Sequence, residues 1–137
     1  STALELSTDT DLSVICESEV EEATLRMNLG YMASETGATQ SDIEQVVATA
    51  NRLLLTEEEV DGQQAMAVLF EEHGKLLQDR LADARTLIQS MPDLAEWLEE
   101  TRLGDNPAII NHVIKLAQTP RSQMRLKRLR DGIKWHN

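Results

Sequence analysis

The side chains able to do chemistry are few and far apart. His73, His112 and His136 are separated by 39 and 24 residues, with no HxxxH pair and no carboxylate at a ligand spacing beside them. That pattern does not predict a metal site. Cys16 is the one cysteine, so an intrachain disulfide, a CxxC redox pair and a cysteine-based zinc site are excluded and a reducing compartment is the expectation. As a nucleophile it would need a base and an electropositive setting, whereas Glu17 and Glu19 beside it favour the protonated thiol. The adjacent acids Glu57-Glu58-Glu59, Glu71-Glu72 and Glu99-Glu100 could shift one another's pKa and serve acid/base or cation chemistry. On helices such pairs more often form a solvated face. No Walker A, GxGxxG, GxSxG or EF-hand pattern occurs. The expectation is a protein that is not an enzyme and holds no cofactor and no metal.

Charge is the more informative chemistry. The net charge is −11, residues 1–24 carry seven acids and no Lys or Arg, and residues 121–137 carry six bases against Asp131. Those bases, Arg121, Arg125, Lys127, Arg128, Arg130 and Lys134, are the candidate partner-binding set. A chain polarised this way suits charge-steered association with an acidic protein or end-to-end contact between copies of itself; plain solvation of both ends is the simpler alternative. The stretch "PRSQMRLKRLRDGIK" is also a basic amphipathic helix of the kind that follows a phosphate backbone. The other 120 residues sum to −16 and would repel DNA, and only Trp135 offers base stacking nearby. A helix-turn-helix reading of "ASETGATQSDIEQVVATANRLL" fails because Asp42 and Glu44 would open its reading helix. Nucleic acid is therefore the less favoured partner.

The elements that must carry these groups read as helices. Aromatic residues make up 3% of the chain, little for a β-sandwich, while Leu, Ala, Glu, Gln and Arg abound. Residues 1–13, "STALELSTDTDLS", read as a flexible acidic arm in which Leu4, Leu6 and Leu12 are candidate anchors. From Val14 to Met32 the set Ile15, Val20, Ala23, Met27 and Tyr31 predicts the buried face of an amphipathic helix. Ser41 and Glu44 form a capping-box pattern before a helix with Ile43, Val46, Val47, Ala50, Leu53 and Leu54 on one face. Thr56 and Glu59 repeat that pattern before a helical run to Ser90, in which Gly62 and Gly74 are the weak points and one helix or two remain open.

Pro92 then opens a short helix with Leu94, Trp97 and Leu98 on one face and Gly104 as its C′ residue. Asp105 or Asn106 caps the next helix ahead of Pro107, so Trp97, Gly104, Asp105, Asn106 and Pro107 make a structural corner. Thr119-Pro120 starts the last helix, with Leu126, Leu129 and Ile133 on one stripe and Arg121, Arg125 and Arg128 on another. The expected fold is all-α: an elongated helical hairpin or bundle over 14–90, then a small helical module over 91–137 ending in the basic helix. No apolar run reaches the roughly 18 residues of a membrane span and no signal-peptide pattern opens the chain, so a soluble, unsecreted protein without membrane contact is expected.

Residues 94–118, "LAEWLEETRLGDNPAIINHVIKLAQ", resemble a segment of tailed-bacteriophage capsid-assembly (scaffolding-type) and related virion structural proteins, an acidic amphipathic helix followed by an "ETGLGNxPxxIxxxxxLG"-like corner. Glu100, Thr101, Leu103, Gly104, Asp105, Asn106, Pro107, Ile110 and Leu116 fit it; Arg102 stands where Gly is common, and Ala117-Gln118 replaces the small or Gly ending. The helix "EEHGKLLQDRLADARTLIQ", residues 71–89, is similar to the one upstream in the same proteins. The resemblance covers about a third of the chain. It implies a non-catalytic, self-associating homo-oligomer located in the host cytoplasm or the virion. It further implies docking of the basic C-terminal helix on an acidic coat or head subunit. Such chains are commonly longer, and the acidic arm has no counterpart among them. A terminase small-subunit or head-completion ring that binds DNA, and an acidic inhibitor of a host nucleic-acid enzyme, are the alternatives.

Overall fold

The computed structural model describes residues 11–13, 15–56 and 59–135; Leu4, Leu6, Glu57, Glu58 and His136 lie outside them. The chain is all-α, a helical bundle with a small C-terminal helical module. Its elements are α1 (Glu19–Thr36), α2 (Gln40–Thr56), α3 (Gly62–His73), α4 (Leu77–Gln89), α5 (Pro92–Thr101), α6 (Pro107–Ala117) and α7 (Pro120–Trp135).

Local chemistry explains most boundaries. Ser18 caps α1 by accepting from the Glu21 amide, and Gly37, at φ 74°, ends it in the left-handed conformation that glycine adopts without steric cost. α1 thus runs four residues past the expected Met32, only Ala38 and Thr39 separate Gly37 from α2, and the reciprocal cap falls on Thr39 and Asp42. The Asp42 amide donates to Thr39 Oγ1 and the Thr39 amide to Asp42 Oδ2. Ser41 and Glu44, expected to form this box, instead lie inside the helix. Likewise Thr56 closes α2, its hydroxyl bonding back to the Arg52 carbonyl, and Asp61 rather than Thr56 caps α3. The run to Ser90 is two helices. Gly74, at φ 57° and ψ −133°, breaks it, and a 3-10 turn over Gly74–Leu76 leads into α4.

One apolar core runs through Leu25 and Leu29 of α1, Ile43 and Val47 of α2, Leu87 of α4, Leu94 of α5, Ile109 of α6 and Leu126 of α7. Packing therefore crosses the expected boundary at 90/91 without interruption. Leu12, fully buried, joins that core and anchors the end of the N-terminal segment. A second cluster, Leu69, Leu77, Ala84 and Ile114, seats α3 on α4 and α6. There the Arg80 guanidinium donates to His73 Nδ1, leaving Nε2–H to donate to Asn111 Oδ1 while Asn111 donates to Glu72.

The α2 face is the expected one: Ile43, Val47, Ala50 and Leu53 are buried. Of the set expected inside around α1, Ile15 is buried just ahead of the helix, but within the helix the expected face is turned outward. Val20 is 77% exposed, Met27 67% and Tyr31 44%, whereas Leu25, Leu29, Met32, Ala33 and Thr36 face inward. Both sets repeat at helical spacing. The inner one combines two leucines with Gly30 and Ala33, whose small side chains let neighbouring helices approach closely.

Candidate protein-docking surface

The six C-terminal bases divide into two groups. Arg121 Nη1 donates to the Ser34 carbonyl at 2.7 Å. Arg125 Nη1 donates to Glu35 Oε2 at 3.0 Å, its Nε and Nη2 reach Ser90 Oγ and O, and its guanidinium carbon lies 5.9 Å from the centroid of the Tyr31 ring. Arg130 pairs with Asp83 at 2.5 Å. These three hold α7 against α1 and α4. Beneath them Leu126 is fully buried, the Thr119 hydroxyl donates to the Thr36 carbonyl and the Ser122 hydroxyl to the Leu116 carbonyl. α7 is thus built into the bundle. The side chains of Lys127 and Arg128 are exposed and make no ion pair among the described residues; beside them Met124 is 65% exposed. The Lys134 side chain lies outside the described part of the structure.

The corner before α6 is assembled by caps. The Thr101 hydroxyl bonds back to the Trp97 carbonyl and ends α5, so the left-handed residue is Arg102, at φ 61°, two positions before the expected Gly104. Arg102 is the only non-glycine residue with positive φ among those described, at a cost of about 1 kcal/mol. Gly104 needs no such conformation, and a Cβ there would meet Leu98 Cβ at an ordinary 3.5 Å. A 3-10 turn over Leu103–Asp105 follows, and Asn106 caps α6 by accepting from the Ala108 amide, with Pro107 next. Trp97 is half-buried, its indole N–H enclosed without an acceptor among the described residues.

Between α1 and α5 a shallow cleft of about 210 Å³ is lined by the carboxylates of Glu21, Asp93, Glu96 and Glu100, with Thr24, Asn28 and Trp97. None of the ion pairs formed among the described residues reaches these four acids. The nearby Glu96 carboxylate above all, then desolvation, with Glu21 and Glu99 adding, raises the Glu100 carboxyl above its ordinary value. Nothing in the sequence pattern marks this cleft, because its acids come from two helices separated by some seventy residues.

A second, open groove of about 330 Å³ lies between α4, α5 and α6. Its lining is mainly apolar, Leu81, Ile88, Leu98, Ile109 and Val113 among it, with Arg85, Arg102, Glu99 and Asp105 as its charged residues, and no histidine, cysteine or hydroxyl lines it. Burial, followed by Glu21 and Glu22, pushes the Cys16 thiol up to about 11. His112 lies 3.1 Å from Thr49 Oγ1, and burial, then Lys115, holds its pKa below the usual histidine value. Among the described residues no three His, Cys, Asp or Glu side chains are arranged to hold a metal ion, and no helix is long and apolar enough to cross a membrane. The chain matches no known family model, no curated protein and no solved structure.

Proposed function

We propose that this protein is a non-catalytic assembly protein of the virion-assembly kind, acting by self-association and by docking on an acidic protein surface. The observation that supports it most is the split among the bases. Arg121, Arg125 and Arg130 fix α7 in place, and Lys127 and Arg128 stand outside with Met124 as a rigidly presented basic and apolar face. A face carried on a fastened helix loses little backbone freedom on binding, which suits protein recognition. Its contacts are exposed and screened beyond a Debye length of about 8 Å at physiological ionic strength, so they are reversible. The left-handed Arg102 adds support to the resemblance over residues 94–118. The resembled segment carries glycine there, the residue best suited to φ 61°.

The test is co-assembly with phage coat subunits, followed by sedimentation and electron microscopy, for the wild-type chain and for the double variant Lys127→Glu/Arg128→Glu. Loss of co-assembly in a variant that keeps its helical circular dichroism is the expected outcome. Co-assembly unchanged by the double reversal overturns the docking role of α7. DNA is the weaker alternative, because two presented bases on a chain of net charge −11 offer few phosphate contacts.

A further inference from the structure

We infer that the acidic surface fitted by α7 is the α1–α5 cleft of a second copy of this chain, so that two copies pair antiparallel across the outer face of α1. This deepens the assembly reading above and rests on its assignment of α7 as a docking face. Val20, Thr24, Met27 and Tyr31, at spacings of four, three and four, form one continuous exposed stripe along a helix about 27 Å long. The stripe has opposite charge at its two ends. Beside its N-terminal half, Glu21 and Thr24 open into the carboxylate cleft with Asp93, Glu96 and Glu100. At its C-terminal end α7 is fastened through Ser34, Glu35 and Tyr31. By helical spacing Arg128 follows Arg121 and Arg125 along the same side of α7, with Lys127 next to it.

Rotating a second copy by 180° about the middle of the stripe places each basic end against the partner's acidic end, with the Met27 side chains at the centre. Both ends are then satisfied by one symmetry operation, the condition for a closed two-fold contact. The raised Glu100 carboxyl fits this arrangement, since the cleft gathers four acids that the ion pairs among the described residues do not reach. α3 has another exposed apolar face, Met66 and Phe70, but Glu59, Asp61, Glu71 and Glu72 flank it, so symmetric pairing there would oppose like charges. The apolar stripe is narrow and its charges are exposed. Association in the range of about 10–100 µM, weakening as salt rises, is the expected strength.

The test uses the full chain in sedimentation equilibrium and three variants checked for unchanged melting temperature. Met27→Glu weakens the dimer at least about tenfold. Glu96→Arg/Glu100→Arg and Lys127→Glu/Arg128→Glu are each monomeric alone, because like charges now face each other, and form a heterodimer when mixed. A wild-type chain that stays monomeric at several times that concentration overturns the pairing, as does a dimer indifferent to Met27→Glu or a mixture that fails to associate. A monomer that still co-assembles with coat subunits through Lys127 and Arg128 overturns this pairing alone. A charge-swapped heterodimer from a chain that ignores coat subunits supports the pairing and overturns the virion reading instead.

Discussion

Arg125 and Lys127 are two positions apart in the sequence and belong to different parts of the protein's physics. Arg125 is largely covered, paired with Glu35 and bonded to Ser90, so removing its side chain leaves a carboxylate and a carbonyl without their donor. Arg125→Ala is expected to destabilise the fold by about 1–3 kcal/mol, whereas Lys127→Ala stays within about 0.5 kcal/mol; urea midpoints of the two variants check this. Equal effects would mean that α7 is not fastened as described. Periodicity could name both as bases on one helix, but which of them has an acceptor waiting depends on Glu35 and Ser90, far away in sequence. Cys16 makes the second test at this scale. With its thiol pushed up to about 11 by burial and by Glu21 and Glu22, the reactive thiolate is scarce at neutral pH and grows as pH rises toward that value. Iodoacetamide at pH 8 should therefore react roughly a hundredfold more slowly with the folded chain than with the urea-unfolded one. A folded rate matching the unfolded one would remove the assigned environment.

The helices themselves were legible wherever a cap and a single apolar stripe agreed. α2 buries its expected face, and Asn106 and Thr119 cap α6 and α7 where a polar residue precedes proline. The sequence was ambiguous where two solutions of similar quality existed. α1 carries two helical stripes, and the buried one, with Leu25, Leu29, Met32 and Ala33, is the one that joins the shared core, a choice that depends on the other helices and not on α1 alone. The Ser41 and Thr56 boxes had the right composition, but the positions where Gly37 ended one helix and Asp61 began another took precedence. Two backbone positions now give opposite expectations at this scale. Arg102→Gly, at φ 61°, should raise stability by about 0.5–1 kcal/mol, and Gly74→Ala, at φ 57° and ψ −133°, should lower it by about 1–3 kcal/mol. Guanidinium denaturation of both variants checks the assignment; a stabilising Gly74→Ala would mean that α3 and α4 can join as one helix.

At the scale of the whole molecule the charge asymmetry was the most legible functional feature, and folding changed its meaning. In sequence, a basic ending on an acidic chain offers an acidic protein or a phosphate backbone as partner, with the protein favoured. In the folded protein half of those bases are engaged with α1 and α4 and secure α7, and the acids of α1 and α5 gather into a cleft that no linear pattern marked. The proposed pairing of two chains, with opposite charges at the two ends of one exposed stripe, would use both features. Native mass spectrometry of the purified chain, with and without duplex DNA at moderate salt, tests that account most directly. Without DNA it should show a population at twice the chain mass that diminishes as ionic strength rises, and with DNA the same species and no stable adduct. A chain found only as a monomer that takes up DNA in a salt-dependent complex would contradict it.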